Sequence, residues 1–137
     1  MVPTSTRAAV LEALAPHAEV LDAYVFGSVA RGDAGPDSDV DVAVFVDPAA
    51  EEPGPWGLQA TLLAELIGAL GRNDVDLVLL NRASPLLWRQ VLRDGERVLS
   101  RDLVATTTRE ARAISRWCDW KPVQERIDAL LLARASE

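Results

Sequence analysis

The chain has 137 residues, 49% hydrophobic and 26% charged, with a formal net charge of −7. That composition suits one soluble domain around one core and excludes a disordered chain. So acidic a chain is a poor autonomous binder of nucleic acid, and no apolar run approaches the ~18 residues of a membrane span. The charge is uneven, at −8 over residues 1–55 and +1 over residues 56–137. Cys118 is the only cysteine and His17 the only histidine, which excludes an internal disulfide and a one-chain His/Cys zinc site. With no basic segment leading into an apolar stretch at the N-terminus, the expected location is the cytoplasm.

The first predicted element is a helix over residues 4–15, with Thr4 or Ser5 as cap and Val10, Leu11 and Leu14 as its apolar stripe. Pro16 ends it, and His17 falls in the connection as a surface or half-buried residue. Val20 to Phe26 is the first strand. Gly27-Ser28 then opens a turn of small residues, with Arg31 three positions on. A second strand follows, with Asp39, Asp41, Ala43 and Phe45 on one face and Val40, Val42, Val44 and Val46 on the other. Asp47 to Gly57 reads as a loop, Glu51-Glu52 being a solvated pair within it. Trp56 to Leu70 is a helix on Leu62, Leu63, Leu66, Ile67 and Leu70, stopped by Gly71. The third strand covers residues 73–80 and alternates again, with Asp74, Asp76, Val78 and Leu80 on one face.

Ser84 at the cap and Pro85 at the first helical position start the next helix, which ends at about Asp94 before Gly95. Arg97-Val98-Leu99 is a short edge strand. Beyond Asp102 the pattern gives one or two helices, with Pro122 as a break or a new first turn. Trp88, Trp117 and Trp120 read as core or interface residues. Arg109, Arg112 and Arg116 share one side of a helix, a solvated face by default and open to a partner. Together these elements predict a small α/β domain, with a mixed twisted sheet and helices mainly on one face. The core spans about 18–82 and a helical part about 84–135, all within one domain at this length.

Two features carry chemistry. Asp39 and Asp41 lie roughly 6.5–7 Å apart along one strand face. Strands disfavour Asp, and like charges so close need a cation between them. Oxygen-only ligands point to a hard cation, Mg²⁺ by default. The Gly27-Ser28 turn supplies the complement. Gly27 permits close backbone approach to a phosphate, Ser28 offers a hydroxyl, Arg31 offers a guanidinium, and amides are free if a helix starts there.

Gly27-Ser28, ten residues, then Asp39-Val40-Asp41 is similar to the signature of the DNA polymerase β-like nucleotidyltransferases. Ala30-Arg31-Gly32 and Ser38-Asp39 narrow the resemblance to the minimal nucleotidyltransferases. Many of these are antitoxins encoded beside a HEPN-domain toxin. The resemblance covers residues 20–46 strongly and the remainder in layout and length.

The resemblance implies transfer of AMP from ATP, with two Mg²⁺ ions, to a tyrosine hydroxyl of the toxin, which silences its RNase activity. It assigns the metal to Asp39 and Asp41, with a third acid from the neighbouring strand at Asp76. Asp74, nearer the strand start, is the alternative third acid and otherwise a turn residue. Gly27, Ser28 and Arg31 would hold the β- and γ-phosphates. Two other readings stand beside this one, an antitoxin that acts by binding alone over an idle site, and nucleotide transfer to a small molecule such as an aminoglycoside.

Overall fold

The computed structural model describes residues 1–33, 35, 38–50 and 57–136. In chain order the elements are α1 (Thr4–Leu14), β1 (Val20–Phe26), α2 (Ser28–Arg31), β2 (Val40–Val46), α3 (Leu58–Leu70), β3 (Val75–Leu79), α4 (Pro85–Asp94), β4 (Glu96–Ser100) and α5 (Leu103–Ala135). Short 3-10 turns follow β2 and β3. The strands form one sheet in the order β3-β2-β1-β4. β1 runs antiparallel to both β2 and β4, whereas β2 and β3 are parallel. The sheet is therefore mixed, as expected. The crossover between β2 and β3 is made by α3, because parallel neighbours cannot be joined by a tight turn.

Alternation along β2 decides how the sheet is covered. Val40, Val42, Val44 and Val46 are buried in one cluster with Val25 and Leu77, under Val10 and Leu14 of α1 and Leu62 and Leu66 of α3. On the opposite face Tyr24 and Ala43 pack with Trp88 and Val91 of α4 and Ala113 of α5. The longer helices are thus divided between the two faces, α1 and α3 on one and α4 and α5 on the other, not gathered mainly on one. The reason lies in β1 and β2, whose second face carries Tyr24, Ala43 and Phe45, too apolar to be left to solvent.

Several local expectations hold. Ser84 caps α4 by accepting from the Leu87 amide, Pro85 sits in the first turn, and Gly71 ends α3 with a left-handed φ of 67°. The cap of α1 does not. The first helical bond runs from the Arg7 amide to the Pro3 carbonyl at 3.0 Å, so Pro3 occupies the cap position and no side chain caps the helix. Thr4 and Ser5 fall inside the first turn, one residue too late to cap. The Glu51-Glu52 pair and the expected helix start at Trp56 lie outside the described residues.

α5 is one continuous helix of 33 residues with Pro122 inside it. Proline there removes one donor and crowds the carbonyl four residues back, at Cys118. Cys118 is exposed, so water can take over that carbonyl. At 1.5 Å per residue the helix is roughly 50 Å long. Its buried residues, Thr106 and Ala113, both lie in the first half, and Leu130, Leu131 and Leu132 in the second half are exposed. No described helix is long and apolar enough to cross a membrane.

A polar network fastens the first half of α5 to the sheet. Asp22, in the middle of β1, is fully buried. It accepts from Arg109 Nε at 2.7 Å and Nη2 at 3.0 Å, and from Thr106 Oγ1 at 2.5 Å. Arg109 also lies over the Phe45 ring, 4.9 Å from its centre. The next residue, Glu110, accepts from the Tyr24 hydroxyl at 2.8 Å and from Arg97 at 2.7 Å. Burial first, then Glu110, push the Tyr24 phenol well above its usual range, so it remains a donor. The arginine face predicted for α5 is thereby split, with Arg109 inside and Arg112 and Arg116 exposed.

Removing Arg109 leaves a buried carboxylate uncompensated. Arg109→Met is expected to lower unfolding free energy in urea by about 3 kcal/mol, and Asp22→Asn combined with Arg109→Met by clearly less. Equal losses in the single and double variants would show that the pair is not the source.

Candidate functional site

β1 ends at Phe26, and the chain turns through Gly27 at φ 73°, ψ −155° into the short helix α2. A side chain at Gly27 faces more than strain. Its Cβ would run into the Asp41 carboxylate, and lie 3.1 Å from the Asp41 Cγ. The glycine of the turn is required by the acid of the next strand, as well as by any ligand approaching the backbone. The first backbone bond of α2 is from the Arg31 amide to the Gly27 carbonyl at 3.1 Å, so the helix makes no use of the amides before it. Among the described residues the Ser28 hydroxyl has no hydrogen-bond partner.

Asp41 lies in β2 directly opposite Asp76 in the parallel ladder. Neighbouring strands are about 4.8 Å apart, so the two acids leave the same face as adjacent side chains. Asp41 is half-buried, and Asp76 and Asp39 are exposed, Asp39 immediately before β2. The Asp41 carboxyl is raised above its ordinary range by burial first, then by the negative charges of Asp76 and Asp39, with Arg31 opposing them. All three acids and Arg31 therefore act on one small volume. Among the described residues no three acids are drawn close enough to form a finished cation cage. The donor set nonetheless suits a hard divalent cation, because it is all oxygen and its mutual repulsion is what such a cation relieves.

Asp74 is occupied elsewhere. Its carboxylate is held by Arg72 through both Nε and Nη2, and its carbonyl accepts from the Val40 amide at 2.9 Å. Arg72 also donates to the Ser38 carbonyl at 2.6 Å. The three residues clip the approach to β2 onto the approach to β3 and so set the level at which Asp41 meets Asp76. Arg72 carried no signal in the sequence beyond a charge near a turn.

Arg31 does not point freely at the turn. Its Nε lies 3.3 Å from Asp33 and its Nη1 3.9 Å from Asp94, at the end of α4. With Phe26, Gly27, Gln90 and Arg93, Arg31 and Asp94 line a cavity of about 200 Å³. Trp88 is a core residue as expected, donating from Nε1 to the Leu80 carbonyl at 3.0 Å. His17 is half-buried beside Glu19.

A four-stranded mixed sheet with acids level on adjacent strands and a Gly-Ser turn beneath one of them is the frame of a nucleotidyl-transfer domain. The chain belongs to the family described as polymerase beta, nucleotidyltransferase, whose model matches residues 9–103. The protein adenylyltransferase MntA of Shewanella oneidensis is 35% identical over 75 residues, 55% of this chain and 50% of that protein. The match thus spans half the length of that relative. A chain in a solved toxin–antitoxin structure with AMP-PNP aligns over 91% of this chain and 98% of its own, at 26% identity and TM-score 0.73. A chain in the structure of a tri-AMPylated Shewanella oneidensis HEPN toxin in complex with MNT antitoxin aligns over 92% and 96%, at 24% identity and TM-score 0.68, a likeness of fold.

Two outcomes follow from the geometry. Gly27→Ala should destabilise the protein by about 1–3 kcal/mol in urea, through the positive φ and the Asp41 clash. A neutral result would mean that Asp41 can simply swing away. The second concerns pH. With the Asp41 carboxyl raised in the folded state, the folded protein holds that proton more readily than the unfolded chain does. Stability of the cation-free protein therefore falls as pH rises from about 4, the unfolded value, through the raised value, and this contribution then levels off. Asp41→Asn lacks that fall. Its melting temperature should exceed that of the wild type at about pH 7 and converge with it below about pH 4. A gap independent of pH would exclude the carboxylate as its cause.

Proposed function

We propose that this protein is a Mg²⁺-dependent adenylyltransferase acting as an antitoxin, moving AMP from ATP to a tyrosine hydroxyl of a cognate HEPN-domain RNase toxin in the cytoplasm. The observation that carries the reading is the level pairing of Asp41 with Asp76, with Gly27 directly beneath Asp41. The MntA relative bears the name of a protein adenylyltransferase, and the AMP-PNP structure is that of a toxin–antitoxin pair. Both support the nucleotide and the kind of partner.

In this reading Asp39 and Asp41 would hold two Mg²⁺ ions, with Asp76 as a third acid toward them. When bound, the ions neutralise charge on the phosphates and make the acceptor hydroxyl more acidic. Gly27, Ser28 and Arg31 hold the β- and γ-phosphates, by backbone approach, hydroxyl and guanidinium respectively. The acceptor oxygen forms a bond to the α-phosphorus in line with the departing bridging oxygen. That α–β bond breaks and pyrophosphate leaves. The phenolic proton passes to Asp76, which is exposed and on the edge strand, where a partner side chain can reach it. No group of this chain forms a covalent bond to the nucleotide, so positioning and charge do the catalysis.

The test is intact-protein mass of the toxin after incubation with Mg·ATP and this protein, read together with the toxin's RNase activity. Wild type should add adenylate mass at substoichiometric amounts. Asp39→Asn and Asp41→Asn should each reduce the rate by ~10²-fold or more, since each removes a charge from transition-state stabilisation. Neutralisation by wild type and Asp41→Asn alike, with toxin mass unchanged, would establish an inhibitor that acts by binding.

A further inference from the structure

Asp94 is placed against a local rule. It is the last residue of α4, where the partial negative charge of the helix end disfavours a carboxylate. Its side chain is only 19% exposed, and it faces two arginines. Arg93 donates to it from Nε and Nη2, both at 3.1 Å. Arg31, three residues beyond Ser28, brings Nη1 to 3.9 Å. All three side chains line the cavity of about 200 Å³ that opens beside Gly27.

The position of this group is fixed by backbone packing. Gly95 follows Asp94, and a Cβ there would run into the Val91 carbonyl and come within 3.1 Å of both the Phe26 Cβ and the Val25 carbonyl. The end of α4 is therefore seated on the end of β1, the strand that delivers the Gly27-Ser28 turn. The backbone at Arg93 and Asp94 is thereby held beside the turn.

We propose that Asp94 is an internal counter-anion for Arg31 and Arg93, which the phosphate tail of a nucleoside triphosphate displaces, and that Arg93 is a further positioning residue for that tail. The inference rests on the nucleotidyltransferase reading above. A triphosphate carries several negative charges into a cavity whose two guanidinium groups share Asp94, Arg31 being paired with Asp33 as well, and it outcompetes Asp94 for both. A nucleoside monophosphate has no tail and leaves the Asp94 pairs intact. After the α–β bond has broken, Asp94 competes again for both arginines, which favours pyrophosphate release. The exchange gives the site a preference for triphosphate over monophosphate while limiting the grip on product.

The experiment is calorimetric titration of the full chain with the Mg²⁺ complex of a nonhydrolysable ATP analogue, and in parallel with AMP. Asp94→Asn keeps the shape and removes the charge. It should tighten analogue binding by about three- to tenfold, and Arg93→Gln should weaken it by about as much, the range for partly exposed charge-assisted contacts. AMP binding should be unchanged in both. In an Arg31→Gln/Arg93→Gln background, Asp94→Asn should bring no gain. In toxin adenylylation Asp94→Asn should lower KM for ATP, and Arg93→Lys should retain more affinity than Arg93→Gln. Unchanged analogue affinity in Asp94→Asn, or a gain that persists without the two arginines, overturns the inference and leaves the nucleotidyltransferase reading standing. A wild-type protein that binds neither the analogue nor ATP takes both down.

Discussion

Two like charges face each other across a parallel pair of strands, and the fold has to hold them there. Asp41 and Asp76 are level in the ladder between β2 and β3, and the Asp41 carboxyl is raised by its burial first and then by the charge of Asp76. Nothing at the acids themselves keeps them together. What does so is behind and below them. The valines on the other face of β2, with Leu77 of β3, are buried under α1 and α3, and the Arg72–Asp74–Ser38 clip fixes the register. A slip of one residue would turn every valine to the wrong face. Burial of apolar area, at about 25 cal/mol per Å², thus holds in place an arrangement that electrostatics alone would open.

The same strands serve a second purpose on their other side. Asp22, Tyr24 and Phe45 receive the first half of α5 through Arg109, Thr106 and Glu110. A buried ion pair is weak evidence for net stability, but it is specific in direction. Only one rotation of α5 about its axis brings Arg109 to Asp22 and Glu110 to Tyr24 together. The long helix is accordingly fixed at its root while its outer half stands clear of the sheet.

The parts legible in the sequence are those governed by short-range rules. Period-two alternation placed Asp39 and Asp41 on the face opposite Val40 to Val46, and Ser84-Pro85 and Gly71 marked helix ends by local chemistry. The parts that were not legible depend on residues far apart in the chain. Asp22 looks like any polar residue in a strand until Arg109, 87 positions later, closes over it. Gly95 reads as a helix stop, and its contact with Val25 and Phe26 has no sequence signature. Thr4 and Ser5 were plausible caps by composition, and Pro3 pre-empted them. The division of helices between two faces turned on Tyr24, Ala43 and Phe45, each of which is ambiguous on its own.

β3 is an outer strand of the sheet, and an outer strand offers unpaired amides and carbonyls to any other extended chain. Val75, Leu77, Val78 and Leu79 make it an adhesive one. Asp76, exposed at its second position, puts a charge on that edge, the kind of residue that disfavours edge-to-edge pairing. The acid proposed for the site thus also lies on the sheet margin. An apolar side chain at position 76 would join Val75, Leu77, Val78 and Leu79 into one uninterrupted apolar run on an outer strand, the pattern that invites pairing with another chain.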